Sequence, residues 1–332
     1  MHRPGVHATV ILLTFNAGEK LVGLIESLER QVTDFAWDAL AVDSGSSDGT
    51  CELLARWKRC RLERISNEQF QHGRTRNMAI GLTEAPVVCL LTQSSLPVDE
   101  HWLARLVAPF AASERVAAVY GRHVPRPGCC AYVAADVEAT FRWISPGSDD
   151  VWDALGPGER LEDLGRSERD RRRFFSDANA ALRRAFWAEH PYPEVDYAED
   201  QLMGEQILRA GRVKVFCSGA AVYHSHSLPA WRYLQRRFDE FSGLVDTGQM
   251  QRSSLAGCVR RSLSRWRLAV GWARASGPGG WWARHWAGVS AGGHALADGI
   301  AEYAAGRVAR PTWLGRRLSL EASAKRRGRS GR

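Results

Sequence analysis

Short unbroken apolar runs alternate along the chain with segments whose apolar residues recur every three or four positions. Residues 8–15, ATVILLTF, read as a buried strand ended by Asn16–Ala17–Gly18. Glu19 to Gln31 then places Leu21, Leu24, Ile25 and Leu28 at helical spacing. Leu40–Ala41–Val42 is a second strand ending on Asp43, and the small loop Ser44–Gly45–Ser46–Ser47 leads through Asp48–Gly49–Thr50 into a helix carrying Leu53, Leu54 and Trp57. Arg61–Ile65 and Val87–Leu91 read as strands, separated by a helix over Arg74–Leu82 that Glu84–Ala85–Pro86 breaks. A helix opening at Pro97–Val98–Asp99 and a strand at Val116–Tyr120 continue the series. Such alternation predicts a mostly parallel sheet wrapped by helices.

The pattern fades after Arg122. Cys129–Ile144 reads as a helix, and Ser145–Arg173 is polar with little periodicity, a long irregular stretch of the kind that is usually functional or mobile. Structure resumes at Phe174, with a helix over Glu199–Ala210, short strands at Val213–Cys217 and Ala220–Tyr223, and a helix over Trp231–Phe241. From Gln251 two helices, roughly Leu255–Ala275 and Trp281–Gly306, flank Gly277–Pro278–Gly279–Gly280.

Charge divides the chain where periodicity does not. Residues 251–332 carry 16 Arg and Lys against 3 Asp and Glu, a net of +13; with +8 for the whole chain, residues 1–250 stand at −5. A basic extension on a mildly acidic body seeks an anionic partner: a membrane surface, a nucleic acid or a phosphorylated acceptor. Trp266, Trp272, Trp281, Trp282, Trp286 and Trp313 lie among its arginines, which suits a helix lying in a membrane interface; the alternative is that the indoles pack and the arginines face water. A single-stranded nucleic acid would also suit Trp and Arg, but the body carries no nucleic-acid motif. The apolar run Val10–Leu13 is too short for a signal-peptide core, and no window has the length of a membrane span. Seven cysteines without CxxC or metal spacing suit buried thiols in a reducing cytoplasm.

The polar residues that carry chemistry sit where strands end. Ligands of an open α/β sheet bind beyond the carboxyl ends of its strands. Asp43 and Asp48 suit a ribose or a base there, or else serve as turn former and helix N-cap; the residues leave both readings open. Thr14–Phe15–Asn16, Ser44 and Thr92–Gln93–Ser94–Ser95 follow strands as well. Arg76, in His72–Gly73–Arg74–Thr75–Arg76–Asn77, has the planar fork that suits a pyrophosphate. His224 and His226, two apart on an extended segment, face one side. Glu199 and Asp200 open a helix, where the dipole alone would favour acids. Asp177 and Asn179 either cap a helix or meet hydroxyls. No GxGxxG follows the first strand, which speaks against a dinucleotide-binding enzyme, and the spacing of Asp43 and Asp48 differs from that of a haloacid-type phosphatase.

Taken in order, VILLTFNAGE, VDSGSSDGT, FQHGRTRN, LLTQSSLP, FSDANAALRR, YAEDQLMGEQIL and AVYHSHS resemble the family-2 glycosyltransferases of the GT-A fold, especially the bacterial rhamnosyltransferase-like branch, from about Ala8 to Gly243. The resemblance implies a Rossmann-like mixed α/β sheet flanked by helices, here with a helical, basic C-terminal extension. It implies residues 1–245 as the glycosyltransferase domain; the residues beyond it read as a Trp/Arg-rich extension, 246–324, for a membrane surface or for packing, and a disordered basic tail, 325–332. It implies an inverting EC 2.4 hexosyltransferase-type enzyme of cell-surface polysaccharide synthesis, cytoplasmic and peripheral at the inner membrane face. The donor is a nucleotide sugar, with dTDP-rhamnose the first choice, and the acceptor a glycan or lipid-linked hydroxyl. Thr14, Phe15, Asn16, Asp43 and Asp48 would hold the nucleoside, with Ser44, Gln93 and Ser94 on the same loops. Arg76 would sit near the diphosphate and Asp200 would be the general base, with Glu199 its rival. His224, His226 and Arg236 or Arg237 would add cations at the diphosphate or a metal, and Asp177, Asn179 and Glu199 would meet sugar or acceptor. One residue departs from the pattern: Ser94 stands where the family usually has the acid that ligates a divalent metal, Mg or Mn. That puts the metal in question and raises the alternative of a non-catalytic nucleotide-sugar-binding scaffold.

Overall fold

The computed structural model describes residues 7–310 and 312–320. Its sheet is built outward from β1 (Ala8–Thr14), whose Ala8, Val10, Ile11 and Leu12 are all buried. An apolar run without polar alternation suits a strand covered on both faces. β2 (Trp37–Asp43) and β4 (Val87–Thr92) flank it in parallel, with Thr14 opposite Asp43 and Leu13 opposite Thr92. β3 (Cys60–Arg64) extends the parallel half beyond β2. The others are β5 (Leu96–Pro97), β6 (Val116–Val124), β7 (Val151–Asp153), β8 (Asn179–Arg183) and β9 (Val213–Tyr223). Among the described residues the order is β3-β2-β1-β4-β8-β6-β9-β5, with β7 pairing β9.

The parallel expectation holds for β3-β2-β1-β4 and for β6 against β9, while β8 runs antiparallel to both β4 and β6. The sheet is therefore mixed. Helices Lys20–Glu29, Thr50–Arg56 and Trp102–Val107 supply Leu21, Leu24, Leu28, Leu54, Trp102 and Leu106 to the core. Each such buried side chain contributes roughly 1.5–3 kcal/mol relative to exposure.

Three local readings are corrected. Leu96–Pro97 is not a helix start but a strand pairing Val222–Tyr223, and the helix begins at Trp102. Val213–Cys217 and Ala220–Tyr223 are one strand, continuous through register shifts against β6. The stretch Ser145–Arg173 contains β7 and a helix, Arg166–Arg173. That helix has no apolar stripe to announce it. It is tied down by Glu168 to Arg171 (2.8 Å) and Arg172 (2.7 Å), and by Arg171 to buried Asp153 (3.1 Å), which also meets Lys214 at 3.0 Å.

The described residues fall into two compact units. The first takes those up to Val124, Phe141–Val195 and Glu199–His224; the second takes Pro125–Thr140, Asp196–Ala198 and those from Ser225 on. The second is helical, with Ala230–Asp246, Leu255–Ser276 and Trp281–Ala304 as its long elements. Ala269, Ala291, Ala295, Ala297 and Ala301 join Tyr132, Tyr233, Phe238 and Phe241 in its core. Arg237, considered above as a diphosphate cation, is instead buried in this unit and spent on Asp298 (2.6 Å) and Glu240 (2.7 Å). Trp266 and Trp272 are half-buried, whereas Trp281, Trp282, Trp286 and Trp313 are exposed. No helix among the described residues is long and apolar enough to cross a membrane. The tail 325–332 lies outside the described residues.

Candidate active site

Everything in this site belongs to the first unit and to the edge where β1, β2 and β4 end. Asp43 closes β2 and is only 1% exposed. Its Oδ1 accepts from the backbone N–H of Gly45 (3.0 Å) and Ser46 (2.8 Å), and its Oδ2 from Thr14 Oγ1 (2.9 Å) and Ser46 Oγ (2.5 Å). Burial works against its charge, but the bonds from Ser46 and Thr14 outweigh burial and hold the carboxyl below its ordinary value. Ser44 donates to the Thr14 carbonyl through both N–H (3.0 Å) and Oγ (3.2 Å). Asp43 and Ser44 thus shape the loop. What this loop and the loop after β1 present outward is Ser47, Asp48 and Asn16, all exposed.

Asn16 has φ 46°, a left-handed conformation that Asn tolerates better than most residues. Its N–H donates to Ser46 Oγ (2.8 Å) and its Oδ1 accepts from Ser47 N–H (3.0 Å), which couples the β1 and β2 loops. Asp48 Oδ1 accepts from Thr50 N–H (3.2 Å) and Oγ1 (2.6 Å) at the start of helix Thr50–Arg56. It therefore shapes the helix entry, and its exposure leaves it open to a ligand as well. Phe15 is locked at both ends by Gln93, which accepts from its N–H (2.9 Å) and donates to its carbonyl (3.0 Å). Gln93 thereby fastens the ends of β1 and β4.

The next link along the edge is Ser95, whose Oγ donates to the Ala178 carbonyl at 2.8 Å and lies 2.9 Å from His224 Nδ1. Ser94 Oγ is 3.5 Å from the same nitrogen and 3.4 Å from Thr92 Oγ1. Residue 177, one step beyond Ala178, opens the acidic cluster. Arg76 is 6% exposed and its Nε lies 3.0 Å from Asp177 Oδ2, while its Nη1 bonds Glu199 Oε1. Tyr192 OH donates to Asp177 Oδ1 at 2.6 Å, and its ring lies 5.8 Å from the guanidinium. Burial pushes Asp177 up to about 6, with Arg76 opposing. Burial also works against Glu199, but Arg76 overrides it and keeps that carboxyl low. Asp200 is half-buried beside them, and one oxygen accepts from Gln201 N–H at 2.8 Å. Burial first, then the Glu199 and Asp177 carboxylates, lift Asp200 well above the usual carboxylate range.

A carboxylate made more basic by like-charged neighbours is suited to take a proton near neutral pH. Arg76 is a buried counter-ion that meets two acids, through its Nε and its Nη1. Asn179 is fully buried, accepts from Trp102 Nε1 (2.8 Å) and donates to the carbonyls of Ala220 (2.8 Å) and Arg122 (3.3 Å). It stands in a strand and caps no helix; its amide joins β6, β8 and β9, and the expectation that it meets a sugar gives way to this packing role. His226 belongs to the second unit.

Two participants carried no periodic signal in the sequence. Tyr192 follows a proline and precedes another, in an irregular loop. His123 lies on β6 with its ring 4.9 Å from that of His224, and burial pushes its pKa down to about 3.

The GT-A resemblance implies a divalent metal. Side chains beside Ser94 include the Thr92 hydroxyl and the His224 imidazole, and both of these also meet the Ser95 hydroxyl. No group of three or more His, Cys, Asp or Glu able to hold a metal gathers among the described residues. A hard dication asks for carboxylate oxygens. These residues do not fit a protein-held metal, and no step is derived through one.

Known proteins resemble this chain in sequence and in fold. The O-antigen chain rhamnosyltransferase RfbN of Salmonella typhimurium is 30% identical over 236 residues, 70% of each chain. The O-antigen chain rhamnosyltransferase WbaN of Salmonella anatum is 28% identical over 234 residues, again 70% of each. Among solved structures, the mannosyltransferase PcManGT from Pyrobaculum calidifontis, in complex with GDP-Man and Mn2+, superposes with a TM-score of 0.52 at 18% identity, covering 96% of this chain and 86% of its own. That likeness shows a shared fold. The sequence profile described as "Glycosyl transferase family 2" matches residues 9–185, just over half the chain. The protein is therefore a GT-A glycosyltransferase that belongs to glycosyl transferase family 2, on its rhamnosyltransferase-like side.

Proposed function

We propose that this enzyme transfers a sugar, rhamnose as first choice, from a nucleotide-sugar donor such as dTDP-rhamnose to a hydroxyl of a glycan or lipid-linked acceptor, with inversion, in cell-surface polysaccharide synthesis. The observation that carries the reading is the carboxylate cluster at the sheet edge, in which Asp200 is lifted by burial and by Glu199 and Asp177. The acceptor oxygen attacks the anomeric carbon as the bond to the phosphate oxygen breaks. The acceptor proton passes to Asp200, and the electron pair leaves with the nucleoside diphosphate. Asn16, Asp48 and the Phe15–Gln93 lock would hold the nucleoside, and His224 with the Ser94 and Ser95 hydroxyls would face the phosphates. The rhamnosyltransferase relatives support the choice of sugar. Residues 1–245 would carry the transfer at the cytoplasmic face of a membrane, with 246–324 serving that surface. A binding-only scaffold is not favoured, because the acidic cluster is complete.

A donor screen reading release of nucleoside diphosphate tests this, with Asp200→Asn as control. The variant should bind nucleotide normally and lose transfer by about 10²-fold or more. Transfer at the wild-type rate would remove Asp200 from the role, and release from no nucleotide sugar with any glycan acceptor would refute the reading.

A further inference from the structure

Within the second unit, the helix Trp281–Ala304 leaves one long face uncovered. Trp282, Trp286, Val289, Leu296, Ile300 and Tyr303 are exposed, spaced so that they form a single stripe about 30 Å long. Trp282 and Trp286 are 67% and 65% exposed. Its neighbour Leu255–Ser276 adds Leu255, Val259 and Leu263, all exposed, one helical turn apart. Between the two helices Leu255, Val259, Leu263, Leu296 and Ile300 line a groove of about 380 Å³ that Trp266 and Tyr303 help to wall. An apolar surface of this extent on a soluble body marks something that covers it.

The charge around it says what. Arg260 and Arg267 border the groove beside Leu255, Val259 and Leu263. At the turn between the helices, Arg274 and Arg284 stand with Trp281 and His285. The acids of residues 251–320 are Asp298 and Glu302, and both are buried and paired, Asp298 with Arg237 and Arg265, Glu302 with Arg261. Among the described residues, the exposed rim of these two helices is thus cationic, with no exposed carboxylate of its own to offset it. A second copy laid on the same stripe would bring arginine against arginine. An anionic bilayer surface satisfies both features at once, since indoles sit at the headgroup level and guanidinium groups meet lipid phosphates.

We propose that the Leu255–Ser276 and Trp281–Ala304 pair is an in-plane docking surface for an anionic membrane, the apolar stripe sinking to the acyl boundary and Arg260, Arg267 and Arg274 meeting the headgroups. The inference deepens the proposed function, on which it rests for the lipid-linked character of the acceptor; docking itself does not require turnover.

The test is co-sedimentation of the 332-residue chain with phosphatidylcholine vesicles, with and without phosphatidylglycerol. Retention is expected on the phosphatidylglycerol vesicles and should weaken as salt rises. The double variants Trp282→Ser/Trp286→Ser and Arg260→Glu/Arg267→Glu should each lower the partition coefficient by about tenfold or more. Their far-UV circular dichroism and their transfer to a water-soluble acceptor should stay at wild-type levels. Absence of retention overturns the proposal, as does equal retention of both double variants or equal retention on phosphatidylcholine alone. A dimer that forms without lipid and dissolves in the Trp variant would make the stripe a self-association face. Oligonucleotide binding without vesicle retention would assign the rim to a nucleic acid. Loss of turnover with docking intact would instead count against the transferase reading.

Discussion

Replacing Arg76 by Met leaves Asp177 and Glu199 without the cation that holds them together. Arg76 is 6% exposed, Asp177 2% and Glu199 6%, so solvent does little to compensate. Removing one partner of a buried ion pair costs about 3–5 kcal/mol, and at pH 8 we expect Arg76→Met to fall in that range. The cost must depend on pH. With the cation gone, both carboxyls prefer to be neutral in the fold, so their folded values rise above their unfolded ones. Groups raised in this way bind more protons folded than unfolded, and stability falls as pH rises through the interval. The deficit should therefore shrink to roughly half at pH 5, where the buried acids can protonate. Arg76→Lys keeps a charge but loses the fork that spans two acids, and should cost an intermediate amount. Urea unfolding at pH 5 and pH 8, with hydrogen exchange of helix Glu199–Arg209 as a local probe, reads all three. A deficit below about 1 kcal/mol at pH 8, or one independent of pH, would show that Arg76 is not the buried counter-ion and would return it to the diphosphate.

Other tests follow from the same geometry. Because burial, Glu199 and Asp177 raise Asp200, its carboxylate forms only at a pH above the ordinary carboxylate range; transfer should be lost on acidification at a higher pH than a solvent-exposed acid would give. A kcat/KM profile with its acid limb near the usual carboxylate value would refute this. At Gly121 an added Cβ would stand 1.9 Å from the Ala220 carbonyl oxygen and 2.3 Å from Asn179 Nδ2, so Gly121→Ala should destabilise by about 1–3 kcal/mol or more in thermal or urea unfolding. Nucleoside diphosphate binding, followed calorimetrically, should survive a chelator, since position 94 offers a hydroxyl and no group of three or more metal-binding side chains gathers among the described residues. Loss of binding on chelation, restored by Mn2+, would show that the phosphates themselves bring in a cation.

The alternation of strands and helices was legible because buried parallel strands must be apolar on both faces. Their ends were legible because turns demand Gly, Ser, Asn and Asp. Thus β1, β2 and β4, the loop after Asp43 and the acids at Glu199–Asp200 could be read directly, and so could the charge excess after Gln251. The helix Arg166–Arg173 could not, because ion pairs hold it and leave no apolar period. Nor could β7, which is three residues long. The reversal of β8 depends on neighbours far along the chain, as does the role of Asn179, which reads like a ligand and acts as a brace.

Arg76 marks the limit most clearly. The sequence by itself determined that a fork-shaped cation stands early in a helix that follows a strand, and that Asp43, Asp48 and Asp200 lie on chain segments able to reach one edge. Only the tertiary structure decided which charge faces which. Asp177 and Glu199 come to Arg76 across more than a hundred residues of chain, and once buried they pair with its Nε and Nη1 and raise Asp200. A pKa and an ion pair are properties of what surrounds a group, and composition and spacing carry no record of those surroundings.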